Sequence, residues 1–134
     1  MTENLWGDIP EAEAIRTPHG VLREQGAKLR ELTQGLLVGR VSRQTLAMGG
    51  AGRTPVFVST LRIIAPALDN YTYEVATIEY SIGMYPLTIM EPSGNKSKEC
   101  VNEAALVTEL HAILSSEKMK KLVRGLLAQI RSDT

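Results

Sequence analysis

Residues 56–65, VFVSTLRIIA, and residues 71–82, YTYEVATIEYSI, decide how the rest of the chain folds. The first run is apolar and rich in β-branched side chains. The second alternates polar and apolar residues with the two-residue period of a half-buried strand. Between them Pro66 and the pair Asp69-Asn70 carry turn chemistry, so the two strands are expected to close into an antiparallel hairpin. On a strict two-residue count Tyr71 and Tyr73 share one face and Tyr80 falls on the other.

Upstream of the hairpin, residues 36–46 (LLVGRVSRQTL) read as another strand. Leu37, Val41 and Thr45 share one side with Gly39 and Arg43, while Val38, Arg40, Ser42 and Gln44 share the other. Residues 47–54 (AMGGAGRT) are a loop whose Gly49, Gly50 and Gly52 have the composition of an anion-binding nest of backbone N–H groups. Neither a Walker A motif nor a GxGxxG fingerprint occurs. Downstream, residues 86–90 (PLTIM) give a short final strand, expected at an edge because of its proline, and residues 91–98 (EPSGNKSK) read as a loop.

Helices flank the strands. Thr17-Pro18 supplies a cap and a first-turn proline, Leu22, Gly26, Leu29, Leu32 and Thr33 follow on one stripe, and Gly35 stands where the helix should stop. Residues 101–114 form a second helix that Asn102 or Ser97 can start. A third, after Ser115-Ser116, has the most regular stripe in the chain, Met119, Leu122, Val123, Leu126, Leu127 and Ile130, opposite Lys118, Lys120, Lys121, Arg124 and Arg131. The expected fold is α+β: an antiparallel meander of about four strands, with one N-terminal and two C-terminal helices packed on it. Residues 1–15 form an arm and residues 16–134 a single domain.

At 134 residues, with 43% apolar and 22% charged residues, the chain can build a core without a disulfide or metal staple. Cys100 is the single cysteine, which excludes an intrachain disulfide and suits a reducing compartment. The start, MTENLWGDIPEAEA, lacks the basic and apolar runs of a secretory signal, and no stretch reaches the length of a membrane span, so a cytoplasmic protein with no membrane contact is expected. The net charge is zero but unevenly spread. Residues 16–62 hold eight Lys/Arg and two Glu (+6), and residues 69–117 hold eight Asp/Glu and two Lys (−6). Such a split either interleaves as ion pairs on folding or serves contacts with a polyanion or with other copies of the chain.

Catalytic motifs are not found. His19 and His111 stand far apart outside any metal-binding spacing, and no Gly-x-Ser-x-Gly elbow occurs. Asp69, Glu74 and Glu79 could sit on strands as the carboxylates of a metal-dependent nuclease, but no lysine follows Glu79 at the needed spacing. The sequence therefore points to a non-enzymatic binding protein that acts through protein–protein contacts as a homo-oligomer, without cofactor or metal. Trp6 and Ile9 of the arm are the candidate contacts. The alternative is a nucleotide or nucleic-acid binder in which Arg40, Arg43, Arg53 and Arg62 join Tyr71 and Tyr73 on one cationic, stacking surface.

Overall fold

The structure is a computed structural model, and it describes residues 2–11, 15–47, 54–92 and 96–132. Helix α1 spans Pro18–Leu32. It is followed by β1 (Val38–Leu46), β2 (Val56–Ala65), a short 3-10 turn (Pro66–Leu68), β3 (Tyr71–Tyr80), β4 (Leu87–Met90) and β5 (Ser97–Cys100). Helices α2 (Glu103–Leu114) and α3 (Glu117–Ser132) complete the chain. The strands form one antiparallel sheet in the order β1-β2-β3-β4-β5. The fold is the expected α+β meander with five strands rather than four.

Local chemistry accounts for the element ends. The Thr17 hydroxyl accepts from the Gly20 N–H at 3.0 Å and caps α1, and the Asn102 side chain accepts from the Ala105 N–H at 2.9 Å and caps α2. Past α1 the chain turns through Gln34 and Gly35, at φ 54° and 84°, with the Gly35 N–H donating back to the Arg30 carbonyl at 2.8 Å. The β2–β3 hairpin closes through Asp69 and Asn70, both in the left-handed region where short polar side chains are tolerated.

Two expectations are corrected. Leu61 pairs with Ala76 while Arg62 pairs with Glu74, so Val75 is an extra residue, a β-bulge in β3. The bulge resets the two-residue count, and Tyr80 comes to lie on the same face as Tyr71 and Tyr73. The strand ending at Met90 is not at an edge either. β4 lies between β3 and β5, with Pro86 just before it, where no ladder bond is lost. The edge on that side is β5, whose sequence SKEC is too polar to register as a strand on pattern alone, and whose Cys100 is held opposite Leu87.

One face of the sheet carries the core. Leu61, Ile63, Ala65, Ala76, Ile78, Leu87 and Ile89 point from the strands, and Leu22, Leu106, Leu110, Met119, Leu126 and Ile130 come down on them from the three helices. Each such side chain removed from water contributes roughly 1.5–3 kcal/mol before chain entropy is counted. α1 sits closest of all: Gly26 faces Gly39 of β1 so tightly that a β-carbon on Gly26 would lie 2.7 Å from the Gly39 carbonyl oxygen.

Candidate functional site

The helices all contribute to one face, which leaves the other uncovered. Register places Val38, Arg40, Ser42 and Gln44 of β1 on this outer face, beside Val56, Val58, Thr60, Arg62 and Ile64 of β2. Across the sheet follow Thr72, Glu74, Thr77 and Glu79 of β3, then Thr88 and Met90, then Ser97 and Glu99. Among these only Thr60 is buried, with its hydroxyl 3.2 Å from that of Thr77. The charges are segregated: Arg40 and Arg62, directly opposite each other, lie on the β1–β2 half, and Glu74, Glu79 and Glu99 on the β3–β5 half. Arg62 bridges the two, reaching Glu74 at 3.9 Å and the Ser42 hydroxyl at 2.8 Å.

The residues picked from sequence for anion binding are divided between faces. Arg40 and Arg62 are neighbours on the outer face. Tyr71 and Tyr73 pair with Ala65 and Ile63 on the helix side, where Tyr73 packs against the core and Tyr71 remains exposed at the strand end. Arg43 also points to the helix side, its guanidinium 5.9 Å from the centre of the Phe57 ring. Tyrosines and the outer arginines therefore do not share a surface. Arg53 and the glycines Gly49, Gly50 and Gly52 lie outside the described residues. Trp6 and Ile9 are 83% and 66% exposed, in an arm whose Asn4 side chain closes a small turn by accepting from the Trp6 N–H at 2.9 Å.

A polar chain runs through the helix side. His19 Nδ1 is 2.9 Å from the Ser59 hydroxyl, which is 3.0 Å from the Tyr80 hydroxyl. Ser59 has no exposed surface, so it is out of reach of a substrate and acts as a buried hydrogen-bonding link. Burial, followed by the positive charges of Arg43 and Arg23, pushes the His19 pKa down. A serine inside the apolar run VFVSTLRIIA was the available signal, but the bulge that brings Tyr80 to the same face is not readable from pattern.

Arg23, unlike Arg43, also lines a groove between α1 and the edge strand β1. His19, Arg23, Ala27 and Arg30 recur along one stripe of α1, and Arg40 closes the opposite side. The floor is made of small residues, Gly26, Ala27 and Gly39, and the cavity measures about 420 Å³. Among the described residues no carboxylate pairs with Arg23, Arg30 or Arg40, and none lines the groove. By contrast Arg16, on the α2 flank of α1, is held by Glu24 and lies 3.8 Å from Glu103.

Other reactive groups are committed elsewhere. Cys100 is buried, and burial followed by the nearby Glu109 charge raises its thiol pKa, away from thiolate character. Among the described residues no three His, Cys, Asp or Glu side chains are gathered where they could hold a metal ion. Nor is any described helix long and apolar enough to cross a membrane. No family model, curated protein or solved structure matches the chain.

Proposed function

We propose that this chain is a small non-enzymatic binding protein of the cytoplasm that works through protein–protein contacts and self-associates through the uncovered face of its sheet. The observation that carries the reading is the segregation of charge on that face about a strip along β2 in which half-buried Val56, Val58 and Ile64 are interrupted by Thr60 and Arg62, with Met90 two strands away on β4. A two-fold axis through the strip would set the Arg40–Arg62 half of one copy over the Glu74–Glu79–Glu99 half of the other, twice. That is self-complementarity of the kind a symmetric dimer needs. The apolar strip supplies the area and the charged flanks fix the register. Val58→Glu tests this. It introduces a charge into the strip at a position the core does not use, so the fold should survive while the dimer population in sedimentation equilibrium falls by about tenfold or more. An unchanged association constant in a folded Val58→Glu protein would rule the face out.

A nucleotide or nucleic-acid ligand is the second reading, and the observation that favours it is the groove beside α1, whose arginines have no carboxylate partner among the described residues. It predicts a salt-dependent affinity for a polyanion.

A further inference from the structure

We infer that the cationic groove between α1 and β1 receives the acidic N-terminal arm of a second copy of this chain. The proposal rests on the self-association reading and assigns it a second contact, at the α1–β1 edge of the sheet, which shares Arg40 with the outer face and adds Arg23 and Arg30 of α1.

Charge is the first ground. Residues 1–15 contain Glu3, Asp8, Glu11 and Glu13 and no Lys or Arg, so their side chains carry a charge of −4. Arg23, Arg30 and Arg40 are the complement: they surround one concavity, and none has a carboxylate partner among the described residues. Three guanidinium groups gathered with no counter-charge among the described residues repel one another, and an acidic segment relieves this.

Shape is the second ground. The floor of Gly26, Ala27 and Gly39 leaves room between the arginine rims for something broad and flat, and the arm offers Trp6, the sole tryptophan, on a turn that holds the indole in solvent. An indole can lie on that floor with a guanidinium against its face, while Asp8 and Glu11 further along the arm reach the remaining arginines. β1 is also an edge strand, so the backbone groups on its free side are open to an incoming extended segment.

The arm of the same molecule is not seated there. Its base, Arg16, is tied to Glu24 and Glu103 on the α2 flank of α1, whereas the groove lies on the β1 flank. Residues 2–11 lie exposed, and none of them lines this groove.

The test uses the full chain and reads two signals across a dilution series: sedimentation equilibrium for mass and Trp6 fluorescence for the arm. Three proteins accompany the unaltered one. They are Arg23→Glu with Arg30→Glu, Asp8→Lys with Glu11→Lys, and all four changes together. The proposal expects Trp6 emission to shift to the blue as concentration rises. Each pair of reversals should weaken association by about tenfold, and the combined swap should restore most of the loss. All changed positions are exposed, and an unchanged melting temperature confirms that folding is not what is being read. A chain that associates equally well with Arg23 and Arg30 reversed overturns the groove contact, while leaving the sheet-face reading intact. A chain that stays monomeric up to about 100 μM, well above the dissociation constants of specific complexes, removes self-association altogether. A blue shift that is independent of concentration yet lost on groove reversal assigns the groove to the chain's own arm and overturns the second copy. Tight, groove-dependent binding of a dT20 oligonucleotide by a monomeric chain overturns the arm in favour of a polyanion.

Discussion

The two faces of the sheet are made by the same strands and differ in what covers them. On β1, Gly39, Val41 and Arg43 look toward the helices, and Arg40, Ser42 and Gln44 look away. The helix side is packed to the point where α1 and β1 touch backbone to backbone at Gly26 and Gly39. The outer side keeps half-exposed valines and isoleucine between oppositely charged flanks. A large sheet with one face packed and one wet is ordinary in antiparallel architecture, where strands alternate apolar-in and polar-out. Here the outward residues of β2 are Val56, Val58 and Ile64 together with Thr60 and Arg62, and it is on the three apolar ones that the proposed self-association rests.

The comparison breaks most sharply on β1 itself. Gly39→Val should abolish the fold or cost more than about 3 kcal/mol, because even a β-carbon at Gly39 would fall well inside van der Waals contact distance of the Gly26 Cα and neither backbone can withdraw without parting α1 from the sheet. Three residues on, Ser42→Val changes the exposed face. It should alter stability by no more than about 0.5 kcal/mol, the lost hydroxyl contact with Arg62 being offset by better strand propensity. Urea titrations of both variants check the contrast, and equal losses would mean that the two faces are not differently packed.

Much of the packed face was legible in the sequence because hydrophobic period and turn chemistry report burial directly. The Thr17-Pro18 start, the Asp69-Asn70 turn and the Met119-to-Ile130 stripe all say where a side chain goes by what it is made of. Three features were not legible, each for a physical reason. The Val75 bulge changes which residues share a face without changing composition, since valine suits a bulge and a regular strand alike. β5 is a strand because β4 offers it a ladder, not because SKEC prefers one. The α1 groove depends on Arg40 arriving beside Arg23 and Arg30, which are ten or more residues away and ordinary as a solvated helix face. The candidate anion-binding set picked along the strands was split by pleat for the same reason: proximity in sequence places neighbours on opposite sides.

A smaller effect probes the polar chain that crosses the packed face. Ser59→Ala removes the hydroxyl that serves both His19 and Tyr80, leaving the Tyr80 hydroxyl buried without its partner, at a cost of about 1–3 kcal/mol. Adding Tyr80→Phe should recover part of that loss, because the stranded hydroxyl is then gone. Thermal melts of the single and double variants decide it: a double variant less stable than Ser59→Ala alone would show that the Tyr80 hydroxyl has another role.

The smallest effect links the interior to the groove through His19, whose ring bonds Ser59 on one side and lines the groove on the other. Its pKa is lowered in the folded chain by burial first, and then by Arg43 and Arg23. The unfolded chain therefore takes up a proton before the folded one as pH falls. The linked stability is fully present above the ordinary histidine value of 6.5 and is lost as pH drops through that value toward the lower folded one. His19→Gln, which keeps a hydrogen-bonding side chain but does not titrate, should flatten the decline in the urea midpoint between about pH 7 and pH 5. The same group sharpens the comparison of occupied and empty groove. Carboxylates brought beside Arg23 and Arg30 would offset the positive field that helps hold His19 neutral, so its pKa should rise in the associated protein and fall back on dilution. The His19 ring proton shifts, followed by NMR across pH at two protein concentrations, would carry that signal, and His19→Gln identifies which of the two histidines is being read.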